Sequence, residues 1–215
     1  MGSCTNNLHP LRSKFISAVV AIHLSSFPGF FLSFLGHRFL SLFYSGISAA
    51  PEGIAFVYLN DVGVPVGFVV GTSNPGGFYS RLLKRDWLKF ALVSIVPVLK
   101  KPTVIWRIAR AVSHPSANPN DDAVAGIFSV GVLPEAQGKG KGAELVRAFL
   151  CEARDRGCER VFLTTDRDNN EATNNFYGKL GFKIERQYVT PEGRRMNEYW
   201  FDLSANNIFA GETHA

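Results

Sequence analysis

The 215 residues predict one α/β domain, a mixed sheet flanked by helices. Three observations lead there. Runs such as "GIAFVYL", "PVGFVVGT" and "RVFLTT" are rich in β-branched and aromatic residues and are bounded by turn formers, which marks strands. Longer segments repeat apolar residues at a spacing of three and four, which marks helices. In the C-terminal half the two kinds alternate, as a packed α/β sheet requires. The length suits a single core, and 46% apolar with 19% charged residues excludes a disordered chain.

The elements follow in order. Residues 11–46 read as helical with a break at "FPGF"; beyond it Phe31, Phe34, Leu35, Arg38, Phe39 and Leu42 recur at helical spacing. "GIAFVYL" and "PVGFVVGT" are strands around the turn "NDVGV". Residues 78–112 read as mixed helix interrupted by Pro97 and Pro102, and "SHPSANPNDD" as a loop. "AVAGIFSVGVL" is a strand running into Pro134. Gly138–Arg156 is a helix with Leu145, Phe149 and Ala153 on one side, ended by Gly157. "RVFLTT" is a strand, Asn170–Leu180 a helix ended by Gly181, and "FKIERQYV" a strand. "TPEG" turns the chain into the last strand, "MNEYWFDL".

The net charge of +5 and pI near 9.2 suit a phosphate-bearing ligand, nucleic acid or a membrane surface. Basic residues are spread along the chain rather than blocked, so no nucleic-acid partner is expected. The three cysteines, Cys4, Cys151 and Cys158, fit neither a disulfide framework nor a zinc site. They predict a reducing, cytoplasmic compartment and no metal. Cys151 and Cys158, seven apart on the predicted helix, read as small buried apolar groups.

Arg12 and Lys14 before "FISAVVAI" imitate a signal peptide, but His23 follows closely and no small-x-small cleavage site precedes "SSFPGFF". Gly2 lacks the Ser or Thr that myristoylation favours, since Asn6 stands there. The apolar runs Phe27–Phe43 and Trp87–Leu99 are broken by Pro28, Gly29, His37, Arg38, Lys89 and Pro97. Neither offers the roughly 20 apolar residues of a membrane span. Peripheral contact of the aromatic N-terminal helix with lipid stays open as an alternative.

"QGKGKG", Gln137 to Gly142, places three glycines and two lysines between a strand and a helix start. Unpaired amides there, with the helix dipole, favour an anion. The phosphate loop of nucleotide hydrolases, GxxxxGK followed by Ser or Thr, fails because no glycine stands five residues before Gly138 or Gly140. The dinucleotide fingerprint is formally met by Gly138, Gly140 and Ala143. "LPEAQ" nevertheless separates strand from glycines, and Asp166 stands 28 residues after Gly138 where about 20 is usual. A flexible helix entry is the bland reading.

A third reading uses more of the chain. "SVGVLPEAQGKGKGAELV" followed by "NEATNNFYGKLGF" resembles the GNAT superfamily of acetyl-CoA-dependent N-acetyltransferases, over about residues 125–183. The resemblance implies a mixed, mostly antiparallel sheet flanked by helices and splayed at the cofactor-binding strand. It implies that the pyrophosphate of acetyl-CoA, the cosubstrate, lies on the loop of Gln137, Gly138, Lys139, Gly140, Lys141 and Gly142, with Ala143. It implies that the pantetheine arm pairs with Val130, Gly131 and Val132, and that the Val132 N–H serves as oxyanion donor. "SVGV" breaks alternation at Gly131, as a bulge would. The family's tyrosine acid matches Tyr177, seven residues after Asn170 and on the same helix face. Phe176 takes the core role. Asn170 either binds cofactor or caps the helix.

The implied reaction is attack of a primary amine of a small molecule on the thioester. A protein N-terminus or lysine is the second acceptor, and a non-catalytic acyl-CoA-binding module the alternative from another class. No residue is singled out as general base among Glu135, Asp166, Asp168, His23 and His37. The N-terminal helices, 11–46, and the last hairpin are the expected acceptor walls. A homodimer stays open.

Overall fold

The computed structural model describes residues 7–100 and 123–204. The order is β1 (Leu8–Pro10), a single 3-10 turn, α1 (Ile16–Ser26), α2 (Phe31–Ala49), β2 (Gly53–Leu59), β3 (Pro65–Thr72), α3 (Phe78–Arg85) and α4 (Trp87–Lys100). After the gap in description come β4 (Val124–Val132), a second 3-10 turn, α5 (Lys141–Asp155), β5 (Arg160–Asp166), α6 (Glu171–Lys179), β6 (Lys183–Val189) and β7 (Arg195–Asp202). The described strands form one sheet in the order β1-β2-β3-β4-β5-β7-β6. The pair β4–β5 is parallel and the other pairs are antiparallel.

The sheet opens at its centre. β4 and β5 pair only over Val124–Gly126 against Arg160–Phe162, and then diverge. On its other side β4 stays paired with β3 to Val132. The ladder with β3 carries an extra residue between Ile127 and Ser129, so the bulge falls at Phe128. The expected bulge at Gly131 is displaced by three residues. Gly131 itself pairs in register with Phe68, and a Cβ there would stand 2.6 Å from the Phe68 ring. It is glycine because of that close approach.

Strand alternation sends side chains to two cores. Val57, Phe68 and Val70 meet α1 to α4 on one face; Ile54, Val69 and Ile127 meet Leu145, Phe149 and Tyr177 on the other. Each fully buried Phe or Leu contributes about 1.5–3 kcal/mol. The strands at 53–59 and 65–72 have the expected bounds, and Asn60 Oδ1 accepts from the N–H groups of Val62 and Val64 to close the turn. The remaining helices and strands agree within a few residues.

Four differences have local causes. β1 was not expected: three residues ending in proline show no period and are held by pairing with β2. In α2, Gly36 has φ +83 and ψ 178, which resets the helical phase. Phe34 is therefore outside the stripe at 41% exposure, while Leu35, Phe39, Phe43 and Ile47 are buried. Pro97 lies inside α4 rather than ending it. Cys158 lies past α5, after Gly157 with φ +83, and is buried. The expected helix over 101–112 and the loop 113–122 lie outside the described residues.

Candidate active site

The loop after β4 is built for close approach. Gly138 and Gly140 have φ +72 and +76, and a Cβ on either would meet nothing within 4 Å. That left-handed backbone favours glycine. Gly140 is the N-cap of α5, so the first amides of α5 open into the space the glycines leave free. A cleft of about 680 Å³ lies there, lined by this loop, by Val130 and Val132 of β4, and by α6.

The ladder decides where β4 directs its peptide groups. The Leu133 N–H donates to the Val66 carbonyl at 2.9 Å. Antiparallel alternation then turns the N–H and C=O of Val132 and Val130 away from β3, toward the side where β5 has diverged. Gln137 Nε2 donates to the Val132 carbonyl at 2.9 Å. The Val130 and Val132 N–H groups thus point into the splay, as an extended ligand pairing with the strand would require.

A second cavity, of about 460 Å³, lies on the other side of the splay. Ser26, Phe27, Phe30, Phe31 and Leu32 line it from the α1–α2 corner, Thr164, Thr165 and Asp166 from β5, and Arg194 and Met196 from the last hairpin. The two cavities share Val130, Thr173 and Tyr177. Tyr177 is 8% exposed and packs against Phe176, Phe182 and Tyr199. Burial pushes its phenol above the ordinary tyrosine value, so it is protonated at neutral pH.

The expected cofactor residues divide as follows. Val130, Val132, Gln137, Gly138, Gly140, Lys141, Gly142, Ala143 and Tyr177 line the cleft. Gly131 faces Phe68, and Lys139 Nζ donates to the Glu135 carbonyl at 3.3 Å. Lys141 Nζ sits 5.3 Å from the Tyr58 ring. Asn170 is the N-cap of α6 without a side-chain capping bond. It donates instead to Thr165 Oγ1 at 2.8 Å and to the Asp166 carbonyl at 2.9 Å, and it lines the second cavity.

Several residues were missed. Arg147 and Lys179 line the cleft, and Phe176, half-buried and packed against the core as expected, lines it as well. Arg147 follows Gly140 by seven residues, two turns along the same helix face, which was the available signal. Asn174 Oδ1 accepts from Asn197 Nδ2 at 3.1 Å and from the Tyr199 hydroxyl at 3.0 Å, tying α6 to β7.

The titratable residues near the second cavity are mostly engaged. Arg194 clamps Asp166 with Nε at 3.0 Å and one terminal nitrogen at 2.7 Å from the second oxygen. Arg195 holds Asp168 at 3.0 Å. His37 is exposed beside Ser41. His23 lines the cavity and is 2% exposed, with Nδ1 2.6 Å from the Tyr44 hydroxyl. Burial lowers its pKa to about 4, so it is neutral at pH 7. Among the described residues no group of three or more His, Cys, Asp or Glu could hold a metal ion.

Comparisons with known proteins identify the family and the fold. Residues 17–182 match the model of the Acetyltransferase (GNAT) family. The mycothiol acetyltransferase of Paenarthrobacter aurescens (strain TC1) is 44% identical over 69 residues, 32% of this chain and 21% of that protein. The chain thus spans about a fifth of the length of such curated relatives. An aminoglycoside 6'-N-acetyltransferase solved with coenzyme A superposes with a TM-score of 0.61 at 12% identity, over 93% of this chain and 98% of that one. Ard1 from Thermoplasma volcanium gives 0.58 at 20% identity, over 91% and 95%. At such identities these structures speak to the fold, whose open mixed sheet they share. With the family model matching more than half of the residues, the chain belongs to the GNAT acetyltransferase family, whose members use acetyl-CoA.

Proposed function

We propose that this chain transfers the acetyl group of acetyl-CoA to a primary amine of a small-molecule acceptor. The observation that supports this most directly is that two cavities meet at one buried phenol, Tyr177, with the outward peptide groups of β4 beside it. A volume of about 460 Å³ with aromatic walls suits a small ligand.

Acetyl-CoA, when bound, supplies an acetyl thioester. The amides of Gly138 to Ala143 would bind its pyrophosphate, and Val130 and Val132 would orient its arm. The Val132 N–H would donate to the acyl oxygen as negative charge develops there. Tyr177 would donate to the departing sulfur. Burial makes this phenol a weaker acid, yet ensures that the proton is present. The amine must lose a proton before it attacks. Among the titratable side chains on the acceptor wall, Asp166 and Arg194 hold each other, and His23 lines the same cavity in its neutral form.

Thermal unfolding in the presence of acetyl-CoA, CoA or NAD(P) tests the donor. Acetyl-CoA at 100 times its Kd adds about 2.7 kcal/mol, a rise of roughly 5–10 °C at this chain length. Stabilisation by NAD and not by acetyl-CoA overturns the reading. A panel of primary amines, followed by release of free thiol, tests the acceptor. Acetyl-CoA binding without amine-dependent thiol release marks a binding module.

A further inference from the structure

Helix α4 is apolar on both sides. Its inner side buries Phe90, Ser94 and Pro97, with Phe90 5.2 Å from Phe39 of α2. Its outer side presents Leu88, Leu92, Ile95 and Leu99 at 58, 67, 50 and 76% exposure, with Trp87 at 61%. These positions recur at intervals of four, three and four, a continuous stripe on one helix face. A contiguous exposed patch of this kind marks an interaction surface.

Charge identifies the kind of partner. Helix α4 carries Lys89 and Lys100 and no acid. Beside the stripe, α3 adds exposed Lys84 and Arg85, while Asp86 is held by Arg85 at 3.1 Å and Lys89 at 2.7 Å. Large aliphatic side chains, a tryptophan and the exposed bases Lys84, Arg85 and Lys89 beside them are the features with which a helix lies in the interface of an anionic bilayer. A nucleic acid would not reward the aliphatic stripe. No helix among the described residues is long and apolar enough to cross a membrane.

We propose that the outer face of α4 docks the protein peripherally on an anionic lipid surface, with Leu88, Leu92, Ile95 and Leu99 inserted among the acyl chains and Lys84 near the headgroups. The aromatic α2, considered for this role from sequence, has instead turned Leu35, Phe39 and Phe43 into the core.

Flotation of the full chain with vesicles tests it. Vesicles of phosphatidylcholine with about 30% phosphatidylserine carry a negative surface, and pure phosphatidylcholine vesicles do not. The wild type floats with the first and not with the second. Binding weakens as salt rises from about 0.1 to 1 M, where the screening length falls from about 10 to 3 Å. Leu92→Glu with Ile95→Glu, on exposed positions, lowers the partition coefficient at least about tenfold, and Lys84→Glu lowers it less. Absence of flotation by the wild type, or equal flotation with neutral vesicles, overturns the proposal. So does sedimentation of the wild type as a dimer that the Leu92 and Ile95 substitutions split, without vesicle binding, since a second copy then covers the stripe.

Discussion

Tyr177 stands where the cleft of the glycine loop meets the second cavity, and the role proposed for it can be separated from its packing. Tyr177→Phe keeps the ring contacts and removes only the donor. Its kcat should fall about 10²–10⁴-fold with the Kd for CoA nearly unchanged, and an unaltered kcat would remove the phenol from the chemistry. Gly131 makes a different prediction. An alanine Cβ there would lie 2.6 Å from the fully buried Phe68 ring, so Gly131→Ala should cost about 1–3 kcal/mol, readable in a urea titration. Both residues stood out in sequence. For Gly131 the reason differed: it admits a neighbouring ring, and the bulge that frees the strand lies at Phe128.

At the scale of elements, the site depends on where strands part. β4 keeps its pairing with β3 to Val132 and loses β5 after Gly126. The α1–α2 corner and the last hairpin close over the second cavity, joined by Arg194. Its guanidinium grips Asp166 at the end of β5 and lies 5.2 Å from the Phe30 ring. The pair is substantially exposed, at 41 and 28%, so its contribution to stability should stay below about 1 kcal/mol. Arg194→Ala should therefore hardly move the melting temperature, yet raise the acceptor KM several-fold while leaving the acetyl-CoA KM unchanged. A parallel rise of both KM values would place Arg194 outside the acceptor wall. The glycine stops and the bounds of β2 and β3 were readable from sequence because each depends on neighbours a few residues away. The phase of α2 was not, because Gly36 adopts φ +83 and breaks the period that counting assumed.

For the whole molecule, two cores clamp a sheet, and one of them encloses an uncharged histidine. His23 has a pKa of about 4 in the fold against 6.5 when solvated, because burial disfavours its cation. The unfolded chain then binds more protons between these values, so this contribution is complete above pH 6.5 and is lost as pH falls toward 4. It amounts to at most about 3 kcal/mol. In His23→Gln, which cannot titrate, stability should depend less steeply on pH across that window; equal slopes would show that His23 is not the group responsible. By itself the sequence determined most element types, the family resemblance, and the candidacy of the glycine loop and of Tyr177. Each is carried by residues close together in the chain or by motifs of fixed spacing. Only the tertiary structure decided the strand order, the splay at β4, the meeting of the two cavities and the burial of His23. Those depend on contacts between residues far apart in sequence, such as Leu133 with Val66, Arg194 with Asp166 and Tyr44 with His23, which no local period encodes.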